Sequence, residues 1–253
     1  MITIGSDVEV AVHRQGVPVD VTGLIGGDKN NPVWYDNFNL QEDNVNAEYA
    51  INPVSSLSDW VAYHTEAIEQ VEHLLPKGYG ILYDATTEYS DDALASDNSK
   101  VFGCDPDLSA WNGMPNRTPN MSKAGNMRTC GGHIHVGVEG VDKRDLVKWM
   151  DVLLGMPSLF MDDDRKRRAL YGKAGSYRDK PYGVEYRALS NFWIKSHDGL
   201  EWAYNQTLRA VEYSMTDMLE HIPNITNIPR SIDKYDMRVA ETTLNWLTKE
   251  GYV

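Results

Sequence analysis

Three short segments alternate between apolar and polar residues, and in each the polar positions carry chemically capable side chains. They are GSDVEV (5–10), GGHIHVGV (131–138) and YGVEYRAL (182–189). Successive side chains of a strand point to opposite faces, so this period confines the segments to strands with one face buried. Parity places Asp7 and Glu9 opposite Ser6, Val8 and Val10. It places His133, His135 and Gly137 opposite Ile134, Val136 and Val138, and Glu185 and Arg187 opposite Val184, Tyr186 and Ala188. Glu48 stands in a fourth apolar segment, DNVNAEYAI (43–51), with Asp43 upstream. An acid in an apolar strand is costly unless it is paired or metal-bound. A solvated face explains one such acid. Four strands of this kind imply one sheet whose inner face carries Asp7, Glu9, Glu48, His133, His135, Glu185 and Arg187.

The rest of the chain fills in around that sheet. RQGVPVDV (14–21) reads as a hairpin partner of the first strand through Gln15-Gly16, and FNLQEDNVNAEYAI (38–51) as one or two strands. Residues 55–75 carry a helical apolar stripe between serine N-cap candidates and Pro76-Lys77-Gly78. YGILYDATTEY (79–89) is expected as a strand. Residues 91–126, rich in Asp, Asn, Pro and Gly, are expected as a long loop, and loops beyond roughly 15 residues in compact domains are usually functional or mobile. Helices are expected over 143–156 behind Asp142, near 157–170, over 198–222 and near 233–249. The stripe of Leu200, Tyr204, Leu208, Val211, Met215 and Met218 reads as core. No linker, repeat or low-complexity block divides residues 1–253, so one domain is expected. Strands first and helices mostly later give an α+β class, an antiparallel sheet with helices on its outer face.

Charge and cysteine usage exclude several roles. The net charge of −13 repels phosphate backbones and argues against general nucleic-acid binding. No apolar run approaches the roughly 20 residues of a membrane span, and MITIGSDVEVAV lacks the basic start of a signal peptide. Cys104 and Cys130 are too few for a disulfide framework, which makes a reduced, cytoplasmic protein the expectation.

Carboxylates with imidazole and no thiolate cluster select hard divalent cations, Mg²⁺ or Mn²⁺, over zinc. RKRRALYGKAGSYRDKPYGVEYR (165–187) supplies Arg165, Arg168, Arg178 and Arg187 close to Glu185. A run such as DDDRKRR is usually a solvated face. Arg178 and Arg187, however, follow a Gly-rich turn that would let backbone approach a phosphate. Metals beside arginines are the equipment of phosphoryl transfer.

With these residues in view, the chain resembles the phage-type carboxylate–amine (COOH–NH2) ligases, or amidoligases, of the glutamine synthetase and glutamate–cysteine ligase superfamily. The matching pieces are GSDVEV, DNVNAEYAINP, FGCDPDLSAWN, GGHIHVG and LYGKAGSYRDKPYGVEYRALSNFW, in the family's order over residues 5 to 193. The resemblance implies a strongly curved antiparallel sheet whose concave face holds Mg²⁺ and ATP. It implies metal ligation by Asp7, Glu9, Glu48, His133 and Glu185, and nucleotide contacts from His135, Arg168, Arg178 and Arg187. Arg187 and Arg178 would hold the transferred phosphoryl group. Glu48 and Asp43 are candidates for the base that takes a proton from the amine. The family's first-strand pair is glutamate–glutamate, whereas position 7 here is the shorter aspartate. The activity implied is ATP-driven amide formation through an acyl phosphate, with the carboxylate and amine unidentified.

Two other readings stay open at this level. His133, His135 and Glu139 fit the H-x-H-x3-E spacing of a cupin-like metal protein, although Tyr186 stands where that fold's second motif expects histidine. A non-enzymatic binding or virion protein would tolerate loss of the site residues. Trp111 and the 91–126 segment are expected to cover the open end of the sheet and form part of the acceptor site.

Overall fold

The computed structural model describes residues 1–96, 99, 107–117 and 124–252. Its first strand organises the rest. β1 (Thr3–Arg14) turns at Gln15 and Gly16, both at positive φ, into β2 (Val17–Val19). After the short edge strand β3 (Val33–Trp34) come β4 (Phe38–Asp43) and β5 (Asn46–Val54), joined through Asn44 at φ 58°. Helix α1 (Leu57–Leu74) begins where the Ser56 hydroxyl accepts from the Asp59 N–H.

β6 (Tyr79–Leu82) and β7 (Thr86–Glu88) divide the expected single strand in two. β6 pairs with β1, while β7 pairs with β9 (Met127–Thr129) in a separate two-stranded sheet. Between them in sequence lies β8 (Leu108–Ser109). β10 (Gly132–Gly137) follows, then a helical rod made of α2 (Lys143–Met150), a π-helical turn (Asp151–Gly155) and α3 (Met156–Met161). The expected break at 156/157 does not occur. Pro157 lacks the N–H for a regular helical bond, and the wider π turn before it keeps the rod continuous. The break comes at Asp162, and the second expected helix is reduced to α4 (Arg165–Arg168).

A hairpin of β11 (Ser176–Lys180) and β12 (Gly183–Tyr186) occupies what the sequence suggested was a Gly-rich turn and one strand. α5 (His197–Ser214) stops short of the expected residue 222. Met215 therefore lies outside it and is 60% exposed, not core. Two helices, α6 (Ile228–Lys234) and α7 (Met237–Lys249), separated by left-handed Tyr235, end the chain.

Among the described residues the main sheet has ten strands, with order β3-β4-β5-β1-β10-β12-β11-β8 and with β2 and β6 also paired to β1. Its antiparallel register sets Asp7 beside His133 and Ala50, Glu9 beside Glu48, and His135 beside Glu185. One face is apolar as parity requires. Val8, Leu40, Tyr49, Ile134, Val136, Val184 and Tyr186 are fully buried against the helical layer, in which α5 packs on α1 and α2. Trp60 stacks on Trp193 at 5.5 Å and donates its indole N–H to Leu200 O, which ties α1 to the start of α5. His64 lies beneath the sheet between Ser6 Oγ (3.2 Å) and Tyr49 OH (2.9 Å), and burial pulls its pKa down to about 3. The architecture is α+β. Among the described residues no helix is long and apolar enough to cross a membrane.

Candidate active site

The polar face of the sheet gathers the residues that parity singled out. Asp7, Glu9, Glu48, His133, Arg178 and Arg187 line one cavity of about 210 Å³. Asp7 Oδ1 lies 2.7 Å from His133 Nδ1, and Asp7 Oδ2 lies 3.3 Å from His135 Nε2, so one carboxylate bridges both imidazoles. Burial alone would raise the Asp7 pKa, but the two histidines hold it well below the usual carboxylate range. The His133 pKa is lowered by burial and then by the Arg187 guanidinium, which favours the neutral imidazole that can ligate a metal. Gly131 makes room for this ring, because a Cβ there would lie 2.6 Å from His133 Nε2.

Glu185 is completely buried on the neighbouring strand. Its carboxylate is paired with Arg187, reached by Arg178 at 3.4 Å and by Lys180 Nζ at 2.7 Å. Burial and Asp7 push the Glu185 pKa upward, and Arg187, His133 and Lys180 more than reverse that. Asp7, His133 and Glu185 each offer a ligand atom within 4.8 Å of the others. A cation ligated by Glu185 would displace one of its ammonium or guanidinium contacts.

A second set of three lies alongside. Ligand atoms of Glu9, Asp43 and Glu48 also fall within 4.8 Å of one another. Burial, followed by the charge of Asp43, raises the Glu9 pKa to about 7. Glu48 is raised well above its ordinary value by burial and then by Asp7, Glu9 and Asp43. Crowded carboxylates in a secluded place resist ionisation until a cation neutralises them. This donor chemistry fits a hard divalent ion at each set.

From sequence, Asp43 stands out only as a residue upstream of Glu48 and a candidate base. The signal that could have promoted it is the alternation in FNLQED, which places Asn39, Gln41 and Asp43 on the polar face opposite Phe38 and Leu40, both buried. The arginines of 165–168 also divide differently from the expectation. Arg168, expected to touch nucleotide, points into the helical layer. It bonds Asp164 Oδ1 (2.6 Å), Ser158 Oγ (2.9 Å) and Gly172 O (3.2 Å) and does not line the cavity. Arg167 lines it instead, buried and donating to Ala188 O, and its charge opposes the rise in the Glu9 pKa. Gly172, at φ +69°, is required there, since a Cβ would fall 2.1 Å from Arg167 Nη1.

His135 does not line the cavity; its Nδ1 lies 2.6 Å from Tyr182 OH and its ring stacks on that tyrosine. Glu139 lies exposed beyond the end of β10 and joins neither ligand set, so the His133–His135–Glu139 triad is not assembled among the described residues. Trp111 is not a free aromatic over the sheet. Its indole N–H donates to Asp151 Oδ2 (2.6 Å), and Asp151 Oδ1 accepts from Tyr186 OH (2.7 Å), on the helical side of the sheet. From the same segment it is Asp107 that reaches the cavity, 3.8 Å from Arg187 Nε. Residues 97–98, 100–106 and 118–123, which include Cys104 and most of FGCDPD, fall outside the described residues.

No curated protein sequence matches the chain. Among solved structures, a bifunctional glutathione synthetase from Pasteurella multocida aligns over 99% of this chain and 49% of its own, at 12% identity and a TM-score of 0.46. This chain therefore spans about half the length of that one. Residues 121–214, which contain His133, His135, Arg178, Glu185 and Arg187, match the family described as Phage phiEco32-like COOH.NH2 ligase-type 2.

Proposed function

We propose that the chain is an ATP-dependent carboxylate–amine ligase and that residues 1–253 form its catalytic domain. One observation carries the reading. Two cation-competent ligand sets, Asp7/His133/Glu185 and Glu9/Asp43/Glu48, lie side by side, and all their members except the buried Glu185 line one cavity with Arg178 and Arg187. The family match over the histidine and arginine strands supports the same class. Mg²⁺ or Mn²⁺ suits these oxygen and imidazole donors, and when bound it would offset the charge of the phosphates and of the crowded acids.

In this reading a substrate carboxylate oxygen attacks the γ-phosphorus of ATP. The bond to the β–γ bridging oxygen breaks, and ADP leaves with that electron pair. Arg187 and Arg178 would hold the equatorial oxygens of the transferred group, with Arg187 oriented by its contact with Glu185. His135 would contact phosphate. The acyl phosphate is then attacked at its carbonyl carbon by the amine nitrogen, and inorganic phosphate departs. The proton released by nitrogen passes to a carboxylate of the second set. Glu48 and Asp43 are the candidates for that base. Arg167 keeps the second set from being purely negative. A buried free thiol, Cys130, and a need for ATP fit a cytoplasmic location.

The deciding experiment incubates the protein with Mg-ATP and pooled carboxylic acids and amines, reading ADP release and the mass of new amides. ADP release that depends on both an acid and an amine supports the ligase. Failure to bind Mg-ATP by calorimetry would remove the reading.

A further inference from the structure

The cavity is small for the chemistry assigned to it. Pockets that take up a whole small molecule run to roughly 300–1,000 Å³, whereas the chamber around the acids and arginines holds about 210 Å³. It accommodates reacting groups, and the remainder of a nucleotide must lie along the open part of the same sheet face.

That face continues as a single cross-strand row. His133 pairs with Asp7, Asp7 with Ala50, Ala50 with Asn39, and Asn39 with Trp34. Directly paired residues project to the same side of a sheet, so the Trp34 indole stands on the face that bears the ligand sets. The opposite parity confirms this, since Val33 pairs with Leu40, which is fully buried in the core. Ala50 and Asn39, between the two ends, are partly open to solvent, one small and one polar. At about 4.8 Å per strand, Trp34 lies about 14 Å from Asp7. A triphosphate and ribose bridge a span of that order.

Trp34 is 66% exposed. A single exposed apolar residue is ordinary on a protein surface. This one closes a row that begins at His133 and Asp7, two members of the first ligand set, and among the described residues no aromatic ring lies against it. Tyr182, the other exposed aromatic near the site, is already engaged through its hydroxyl and its ring with His135.

Resting on the ligase reading, we propose that Trp34 is the stacking platform for the nucleobase of ATP, with Asn39 and Ala50 as the floor between base and phosphates. Base–aromatic stacking contributes roughly 1–3 kcal/mol per base.

The test measures, by calorimetry, binding of Mg²⁺ with a non-hydrolysable ATP analogue and of Mg²⁺ with inorganic tripolyphosphate, which has no base. Wild type is compared with Trp34→Ala and Trp34→Phe. The expected result is a loss of about ten- to a hundredfold in analogue affinity for Trp34→Ala, the range that such a stack represents. Trp34→Phe should recover most of it, and tripolyphosphate affinity should stay within about twofold throughout. Equal analogue affinity in wild type and Trp34→Ala, with tripolyphosphate still bound, overturns the platform and leaves the ligase reading standing. Failure of wild type to bind either probe overturns both. If Trp34→Ala instead abolishes self-association in sedimentation without weakening the analogue, the indole is an edge-strand contact between copies and the proposal falls.

Discussion

Glu9 is the residue at which metal, charge and stability are most tightly linked. Burial beside Asp43 raises its pKa from 4.5 to about 7 in the metal-free protein. A carboxyl with a higher pKa in the folded than in the unfolded state binds its proton more tightly when folded. Its contribution is fully present below about pH 4.5 and is lost as pH rises through about 7. At about 1.4 kcal/mol per pKa unit, the shift corresponds to at most about 3.5 kcal/mol. Glu9, Asp43 and Glu48 titrate as a set, so this figure is an upper bound for one member.

Glu9→Gln keeps an acceptor for the Gly131 N–H, which lies 2.8 Å from Glu9 Oε2, and removes the titration. In chelator, its denaturant-derived stability should match wild type near about pH 4 and exceed it by up to about 3.5 kcal/mol near about pH 8. Adding Mg²⁺ at about a hundred times its Kd should stabilise wild type by about 2.7 kcal/mol and the variant by much less. Two results would refute the reasoning: a variant no more stable than wild type at the higher pH without metal, or equal stabilisation of both proteins by Mg²⁺.

Arg187→Ala and Arg178→Ala should retain the fold and slow ADP formation by about 10²–10³-fold each, with lysine rescuing poorly for want of the guanidinium fork; near-normal ADP production by both contradicts the role. Arg168→Ala should cost about 3–5 kcal/mol, because Asp164 (1% exposed) loses its closest guanidinium partner. Urea denaturation checks this, and a folded Arg168→Ala with impaired nucleotide affinity would return the residue to the site. Trp111→Ala should destabilise by about 3–5 kcal/mol through lost packing and the broken indole–Asp151 bond. Nucleotide affinity of the folded fraction should hold within about twofold; loss of affinity without loss of stability would restore Trp111 to the acceptor site.

Period-two alternation suffices to place Asp7, Glu9, His133, His135, Glu185 and Arg187 on one face, because side-chain direction in a strand follows residue parity alone. The apolar positions opposite them predicted the buried layer for the same reason. Adjacency in sequence could not choose between Arg167 and Arg168: consecutive residues of a helix differ in direction by about 100°, and only the packing of α4 decides which guanidinium faces the cavity. Trp111 looked like a binding aromatic because its loop setting says nothing of Asp151, 40 residues away, whose carboxylate holds it on the helical side. Asp43 and Trp34 acquire their places through cross-strand register, a relation between segments. Parity within one strand assigns a residue to one of two faces, whereas pairing between strands decides which residues meet on that face. That pairing is set by the packing of the whole sheet on its helices.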